Sequence, residues 1–361
     1  MVLLIYEVFI LFVFTVVLVL DLNGVRGKHE EYIEKPGYVP KTLVILPAKG
    51  YDIKQGQNFI SLKNQDYANY DLVAVVDSAD DPAAKTAKQL GISILIAKGK
   101  CNQCSGKNRA ISYALRKLND YEVYVIADSD IMVKKDWLRN LIAPLSDHSI
   151  GISTTFPTFV PIDNGLWSYV KMLWGLVGKS LMSSRATRFG WGGSLAFRND
   201  IIDANLFNML VNSKYSISDD ISITKQSNKK GLSIAYVKDA EPVIYVKETK
   251  HSFIEWANRQ AALTLLGYKN NLYIGIAYYS AELLLFASGI VLPFILSPVF
   301  AVLLLHFVIS EYKAFMRSPI RPPMLSVIVI LMPALYLYNL LKAASMESIT
   351  WRGRSYVIKK K

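Results

Sequence analysis

An α/β fold, a doubly wound and mostly parallel sheet carried between apolar helices, is what this 361-residue sequence predicts. Two patterns predict it. Short Val/Ile/Leu-rich runs alternate with amphipathic ones through the first half, which is how parallel strands and their crossover helices read. Long apolar runs stand at the N-terminus and in the last quarter, separated by roughly 250 residues of mixed polarity, the size of one α/β domain.

Taken in order, the first element is the run Leu3 to Leu20, broken only by Tyr6, Glu7 and Thr15. At about 1.5 Å per residue it nearly crosses a hydrocarbon core of about 30 Å. No charged n-region precedes it and no A-x-A site follows, so it reads as a retained anchor and not as a cleaved signal. Next come strands over Thr42 to Leu46, Leu72 to Val76, Ile92 to Ala97 and Val123 to Ile126. Their continuous apolar character marks strands buried on both faces. Helices are expected between them at Gln57 to Asn64, Ala83 to Leu90 and Lys107 to Leu118, where Ala110, Ile111, Ala114, Leu115 and Leu118 form one face. Toward the C-terminus, Leu272 to Ser310 is apolar for two helix lengths, with a turn expected near Pro293 and Pro298, and a last apolar run covers Met324 to Leu341.

The organisation expected is an anchor over residues 1–22, a catalytic-sized domain over 23–271, membrane or interfacial helices over 272–345, and a basic tail over 346–361. The net charge is +12, and much of it flanks the apolar runs: Arg26, Lys28, Lys35 and Lys41, then Lys313, Arg317 and Arg321, then Arg352, Arg354 and Lys359 to Lys361. Lys and Arg beside spans stay on the cytoplasmic side, so the central domain is expected to face the cytoplasm. Four full crossings would put that domain and the basic C-terminus on opposite sides. One segment, the Met324 to Leu341 run with its Pro333, is therefore expected to be interfacial or re-entrant.

Several function classes fit poorly. The basic residues are not interleaved with aromatics as in a nucleic-acid face. There is neither a dinucleotide fingerprint nor a P-loop, since "CSGKNRA" has one Gly before its Lys. Cys101 and Cys104 lack two further zinc ligands and sit in a Gly/Lys-rich loop, which suits a loop staple or two idle thiols better than redox chemistry. Glu282 and His306 are the clear ionisable residues within the apolar runs, too few for a transport path.

What the pattern favours is acid clustered at strand ends, where open α/β sheets bind ligands. "VVDSADDP" puts Asp77 after one strand, and "VYVIADSDIM" puts Asp128 and Asp130 after another. Two carboxylates one residue apart repel unless a cation joins them. Mg²⁺ or Mn²⁺ suits such oxygens, with a substrate diphosphate completing the shell; the alternative is a capped polar turn. "SISDDISIT" supplies a base for an incoming hydroxyl, with Asp219 as a helix cap and Asp220 pointing into the site; alternatively both serve as N-cap residues.

The ordered series from "LPAKGYDIKQGQNF" through "VVDSADDPAAK", "IADSDIMV", "GWGGSLAFR" and "SDDISIT" to the closing "ITWRGRSYVI" resembles the ceramide glucosyltransferase branch of the family-2 glycosyltransferases, over nearly the whole chain. The resemblance implies a GT-A catalytic domain on the cytoplasmic face of the cell membrane. It would use a UDP-hexose donor and a membrane lipid acceptor, with inversion at the anomeric carbon and Mg²⁺ or Mn²⁺ as cofactor. By position it implies Pro47, Asp77, Asp80, Asp81, Lys107, Asp128 and Gly193 at the donor, Asp128 and Asp130 at the metal, and Asp220 as base. The family's [QR]-x-x-R-W motif is altered here to "FIEWANRQ". Arg259 remains to neutralise the leaving diphosphate, while Trp256 and Gln260, with Trp351, Arg352 and Arg354 of the last motif, are implied at the acceptor. On charge alone, those two arginines suit a cytoplasmic anchor equally. The same resemblance leaves room for transfer to a polyprenyl phosphate, for processive polysaccharide synthesis, and for a protein that only binds nucleotide sugars.

Overall fold

The computed structural model describes residues 2–25, 30, 32, 35–99, 101 and 104–358; Arg26, Lys28 and Lys359 to Lys361, included above in the flanking charge, lie outside them. The strands are β1 (Thr42–Pro47), β2 (Tyr70–Val76), β3 (Ser93–Ile96), β4 (Val123–Ala127), β5 (Ile131–Met132), β6 (Ile150–Thr154), β7 (Thr158–Pro161), β8 (Ser194–Arg198), β9 (Ser233–Tyr236), β10 (Val243–Val246), β11 (Ser348–Trp351) and β12 (Arg354–Val357). Seven of them form the central sheet in the order β3-β2-β1-β4-β8-β6-β9. β1 to β4 are mutually parallel, β8 inserts antiparallel between β4 and β6, and β9 rejoins parallel to β6. β5, β10 and β7 make a small second sheet, and β11 and β12 a hairpin. The order steps outward from β1 in both directions, which opens a crevice at the strand ends.

The helices are α1 (Val2–Val25), α2 (Gln55–Lys63), α3 (Pro82–Gln89), α4 (Gly106–Lys117), α5 (Trp137–Ile142), α6 (Leu166–Met182), α7 (Ala204–Val211), α8 (Asp219–Lys229), α9 (Lys250–Gly267), α10 (Asn271–Ile295), α11 (Leu305–Arg317) and α12 (Leu325–Ser345). Their starts follow local chemistry. Ser105 caps α4 by accepting from the Asn108 amide, and Asp81 caps α3 by accepting from Ala83, with Pro82 at the first helical position. The apolar face of α4 packs Ile111, Ala114 and Leu115 with Leu43, Ile45, Tyr124 and Ile126 of β1 and β4, all 2% exposed or less. The opposite sheet face buries Val44, Leu46 and Val125 with Phe59, Leu62 and Trp137.

Among the described residues, four helical segments are long and apolar enough to cross a membrane: Leu3–Leu22, Asn271–Ile295, Pro298–Arg317 and Leu325–Ser345. The first three pack together through Ile10, Phe14, Val17, Leu285, Leu292, Phe300 and Leu303. α12 lies differently. It packs on α6 and α9 through Leu325, Ile328, Val329 and Met332 against Tyr169, Leu173 and Phe253, so it joins the sheet domain to the bundle. The expected turn also shifts: Pro293 is inside α10, and the break comes at Ser297, with Pro298 opening a 3₁₀ turn.

Candidate active site

β4 ends at Ala127, and the chain turns at once through Asp128, Ser129 and Asp130 into β5. This turn is pinned from several sides. The Asp128 amide donates to the Gly193 carbonyl (3.1 Å), and the Asn58 side chain donates to the Ser129 carbonyl (3.2 Å). Asp128 is thereby fixed beside Lys107, whose Nζ lies 2.7 Å from Asp128 Oδ1 and 3.1 Å from both Asp219 Oδ2 and the Gly192 carbonyl. Burial pushes the Lys107 ammonium down, but Asp128 and Asp219 outweigh it and hold it above the ordinary lysine range, so it stays charged. Gly192 is required by this contact, because a Cβ there would come within 2.1 Å of Asp219 Oδ2.

Asp219 is therefore not the expected helix cap. Ser218 takes that place, accepting from the Ile221 amide, while Asp219 is 2% exposed and faces Lys107. Asp220, half-buried, bonds through Oδ1 to the Ser218 hydroxyl and forms no salt bridge among the described residues. Of the two acids, Asp220 is the less buried and the one not tied to Lys107.

Among the described residues, Asp130 has no such counter-ion in contact. Burial, then Asp128 and Asp52, raise its carboxyl to about 7. Carboxylate oxygens are the hard donors that suit Mg²⁺ or Mn²⁺. No group of three or more His, Cys, Asp or Glu gathers as a metal centre among the described residues, so Asp128 and Asp130 alone would not complete an ion's shell.

At the ends of β1 and β2 a second charged knot forms. Asp77 meets Arg109, Lys49 (3.3 Å) and Arg354 (3.1 Å). Burial raises its carboxyl, and the three cations outweigh burial, leaving it below the usual carboxylate range. Arg352 pairs with Asp52 (2.7 Å) and donates to the Lys49 carbonyl (3.1 Å). So the described part of the expected tail, residues 346–358, is not simply a tail: β11 and β12 fold back onto the sheet. Arg352 and Arg354, expected at the acceptor, thus pair with Asp52 and Asp77.

One cavity of about 1340 Å³ collects these groups. Pro47, Asp77, Lys107, Asp128, Asp130, Gly193, Asp220, Trp256, Arg259, Gln260, Trp351, Arg352 and Arg354 all line it, and so does Asp219. Asp80 and Asp81 do not: Asp80 is exposed, and Asp81 spends its Oδ1 on the amides of Gly50 and Ala83. Arg259 on α9 is half-buried, and burial holds its guanidinium below the ordinary arginine range. Cys101 and Cys104 are bonded to each other just before α4, which realises the loop staple. Sequence reasoning gave Asp219 only a capping role and missed Lys49, which lines the cavity, and Arg109 and Asp52, which pair with its charged groups.

The profile of Glycosyl transferase family 21 matches residues 6–361. No curated protein matches the sequence. Among solved structures, the mannosyltransferase PcManGT from Pyrobaculum calidifontis, in complex with GDP-Man and Mn²⁺, is similar at 17% identity, with a TM-score of 0.53 over 92% of this chain and 94% of that one. Glucosyl-3-phosphoglycerate synthase from Mycobacterium tuberculosis, with Mn²⁺ and UDP-glucose, aligns at 14% identity and a TM-score of 0.42, over 63% of this chain and 78% of that one. The fold shared with the first is the GT-A glycosyltransferase fold, as expected.

Proposed function

The chain belongs to glycosyl transferase family 21, and from that premise we propose that it transfers a hexose, glucose by resemblance, from a UDP-sugar to the hydroxyl of a membrane lipid, with inversion. One observation carries the reading: the acidic strand-end cleft and the apolar terminal helices share a single cavity, lined from Asp128 and Asp220 to Tyr279 and Leu340. A charged donor and an apolar acceptor can thus meet without leaving their own environments.

In this reading Asp128 and Asp130 hold Mg²⁺ or Mn²⁺, which supplies positive charge to the departing diphosphate. Lys107 and Arg259 add fixed positive charge to the same cleft, and Arg352 and Arg354 are positioned to exchange their carboxylates for phosphate oxygens. Asp220 takes the proton from the attacking lipid hydroxyl. The attack by a neutral hydroxyl on the face opposite the leaving group inverts the anomeric centre in one displacement. Trp256, Gln260 and Trp351 face the acceptor, and the arginines of the last hairpin belong to the donor side instead. The anchor, catalytic domain and helices divide as 1–22, 23–271 and 272–345, with the catalytic domain on the cytoplasmic face of the cell membrane and α12 along the interface.

The test is incubation of membranes carrying the protein with radiolabelled UDP-hexoses and Mn²⁺, followed by mass spectrometry of extracted lipids. A new hexosyl-lipid that is lost in Asp220→Asn supports the reading. A lipid-linked sugar phosphate formed independently of Asp220, or a long polymer, would replace it.

A further inference from the structure

α6 is apolar along most of its length and carries two lysines, Lys171 and Lys179, on turns well separated along the helix. Each lies inside the fold beside a glutamate, Lys171 with Glu248 (2.6 Å) and Lys179 with Glu241. Lysine is seldom buried, and a buried ion pair adds little stability over apolar residues of similar volume, so such a pair calls for a further reason. The surroundings of the two lysines differ. Lys179 donates to the Thr158 hydroxyl and does not line the cavity of the candidate active site. Lys171 lines it, and its Nζ stands 4.5 Å from the centre of the Trp256 ring and 5.6 Å from that of Phe159.

The ammonium is fixed from behind. Glu248 accepts from the Ser252 hydroxyl of α9 through Oε2, and its amide donates to Ser168 Oγ of α6 (2.8 Å), one turn before Lys171. The carboxylate that holds Lys171 is thereby tied to both helices. Trp256 in turn meets Trp174, Phe159 and Phe253, with ring centres 4.8, 5.5 and 6.3 Å away and interplanar angles of 69°, 81° and 41°. Ring packing tolerates edge-to-face and offset arrangements alike, whereas a cation is held at the ring face.

We infer that Lys171 is a positioning residue for Trp256: its ammonium, fixed by Glu248, holds the indole in the orientation presented to the cavity, and so governs acceptor binding without touching the acceptor. The inference rests on the lipid-glycosyltransferase reading, which puts Trp256 at the acceptor. The Lys171 charge also acts on Asp130, and a lysine serving that carboxylate would act on the donor instead. Among the described residues, however, the ion-pair partner of Lys171 is Glu248 and not Asp130.

The experiment uses the full chain in lipid nanodiscs, labelled with 5-fluorotryptophan. The Trp256 fluorine resonance is identified by its loss in Trp256→Phe, so the ring is read without any substrate. Lys171→Met alone would leave Glu248 buried and unpaired, so it is combined with Glu248→Gln. Lys179→Met with Glu241→Gln is the matched control in the same helix. Lys171→Met/Glu248→Gln should shift or broaden the Trp256 resonance and raise KM for the lipid by about tenfold, with KM for UDP-hexose changed by about twofold or less. Lys171→Arg keeps a cation for the ring and should stay near wild type in both readouts. The control pair should leave the Trp256 resonance in place. Adding Trp256→Phe to Lys171→Met/Glu248→Gln should cost little beyond Trp256→Phe alone, because the lysine acts through that ring.

An unmoved Trp256 resonance in Lys171→Met/Glu248→Gln overturns the inference. So does a rise in KM for the donor in place of the lipid, or full additivity with Trp256→Phe. Should that pair of substitutions fold poorly, Glu248→Gln alone loosens the ammonium and should broaden the same resonance; a sharp, unshifted line then overturns the inference. A wild type that glycosylates no lipid overturns the function and with it the acceptor half of the inference, while the fluorine resonance separately decides whether Lys171 orients Trp256.

Discussion

The two ends of the cavity are built in opposite ways. At the sheet end, Lys107, Asp128, Asp219, Asp77, Arg109, Arg352 and Arg354 are held by ion pairs. At the helix end, Trp174, Trp256, Tyr279 and Tyr336 are held chiefly by ring contacts, with hydrogen bonds from Trp174 to Asn339 and from Lys313 to Asp21 beside them. Paired charges can be exchanged for those of a ligand at little net change, which suits a diphosphate; ring faces bind by area, which suits an alkyl chain. Under the proposed function, the difference teaches that one pocket would recognise one substrate by charge replacement and the other by apolar burial.

Substitutions can break this division or sharpen it. The largest effect should come from Asp220→Asn, expected to lower kcat by about 10²–10⁴-fold while UDP affinity changes little, as read by steady-state kinetics beside calorimetric UDP binding. Comparable loss of UDP affinity would show that Asp220 serves the donor end. Lys107→Met should come next, because it leaves Asp128 and Asp219 facing each other uncompensated. Breaking such a buried pair costs about 3–5 kcal/mol, visible as a lower denaturant midpoint. Removing divalent ions with EDTA, or substituting Asp130→Ala, should weaken UDP-sugar binding without altering partition of the lipid into the protein, followed by fluorescence of a labelled acceptor. Trp256→Ala should do the reverse, raising KM for the lipid by about tenfold with KM for the donor unchanged.

The smallest effect concerns Glu30, which binds Arg185 and Arg188. Burial raises the Glu30 carboxyl, but hydrogen bonds from Arg188, Tyr32 and Arg185 outweigh burial and hold it at about 2. A carboxyl lowered on folding contributes stability that is complete above its ordinary range, near 4.5, and is lost as pH falls toward 2. The melting temperature of wild type should therefore drop between pH 5 and 3 more than that of Glu30→Gln, and equal slopes would remove the assignment.

Much of the sheet end was legible because its signals are local. The apolar runs that became β1, β2 and β4 and the acids that follow them are contiguous, and parallel strands put those acids on one edge. The exchange of roles among Ser218, Asp219 and Asp220 was not legible, since all three residue types compete for a helix start and the winner is set by Lys107, more than 100 residues away. Arg352 and Arg354 reach Asp52 and Asp77 across about 300 and 277 residues, contacts that no periodicity encodes. At the helix end, Glu282 and His306 stood out as ionisable residues within apolar runs. Asp21 and Lys313 did not, because they sit at run edges where charge is ordinary.

Only Met346 and Glu347 separate α12 from the hairpin whose arginines hold the donor-side carboxylates. With α12 along the interface as proposed, a shift of that helix would be carried through two residues to Trp351, Arg352 and Arg354, like a short crank. The lipid surface beneath α12 would then act on nucleotide affinity, and measuring UDP binding in nanodiscs of graded headgroup charge would read that action directly.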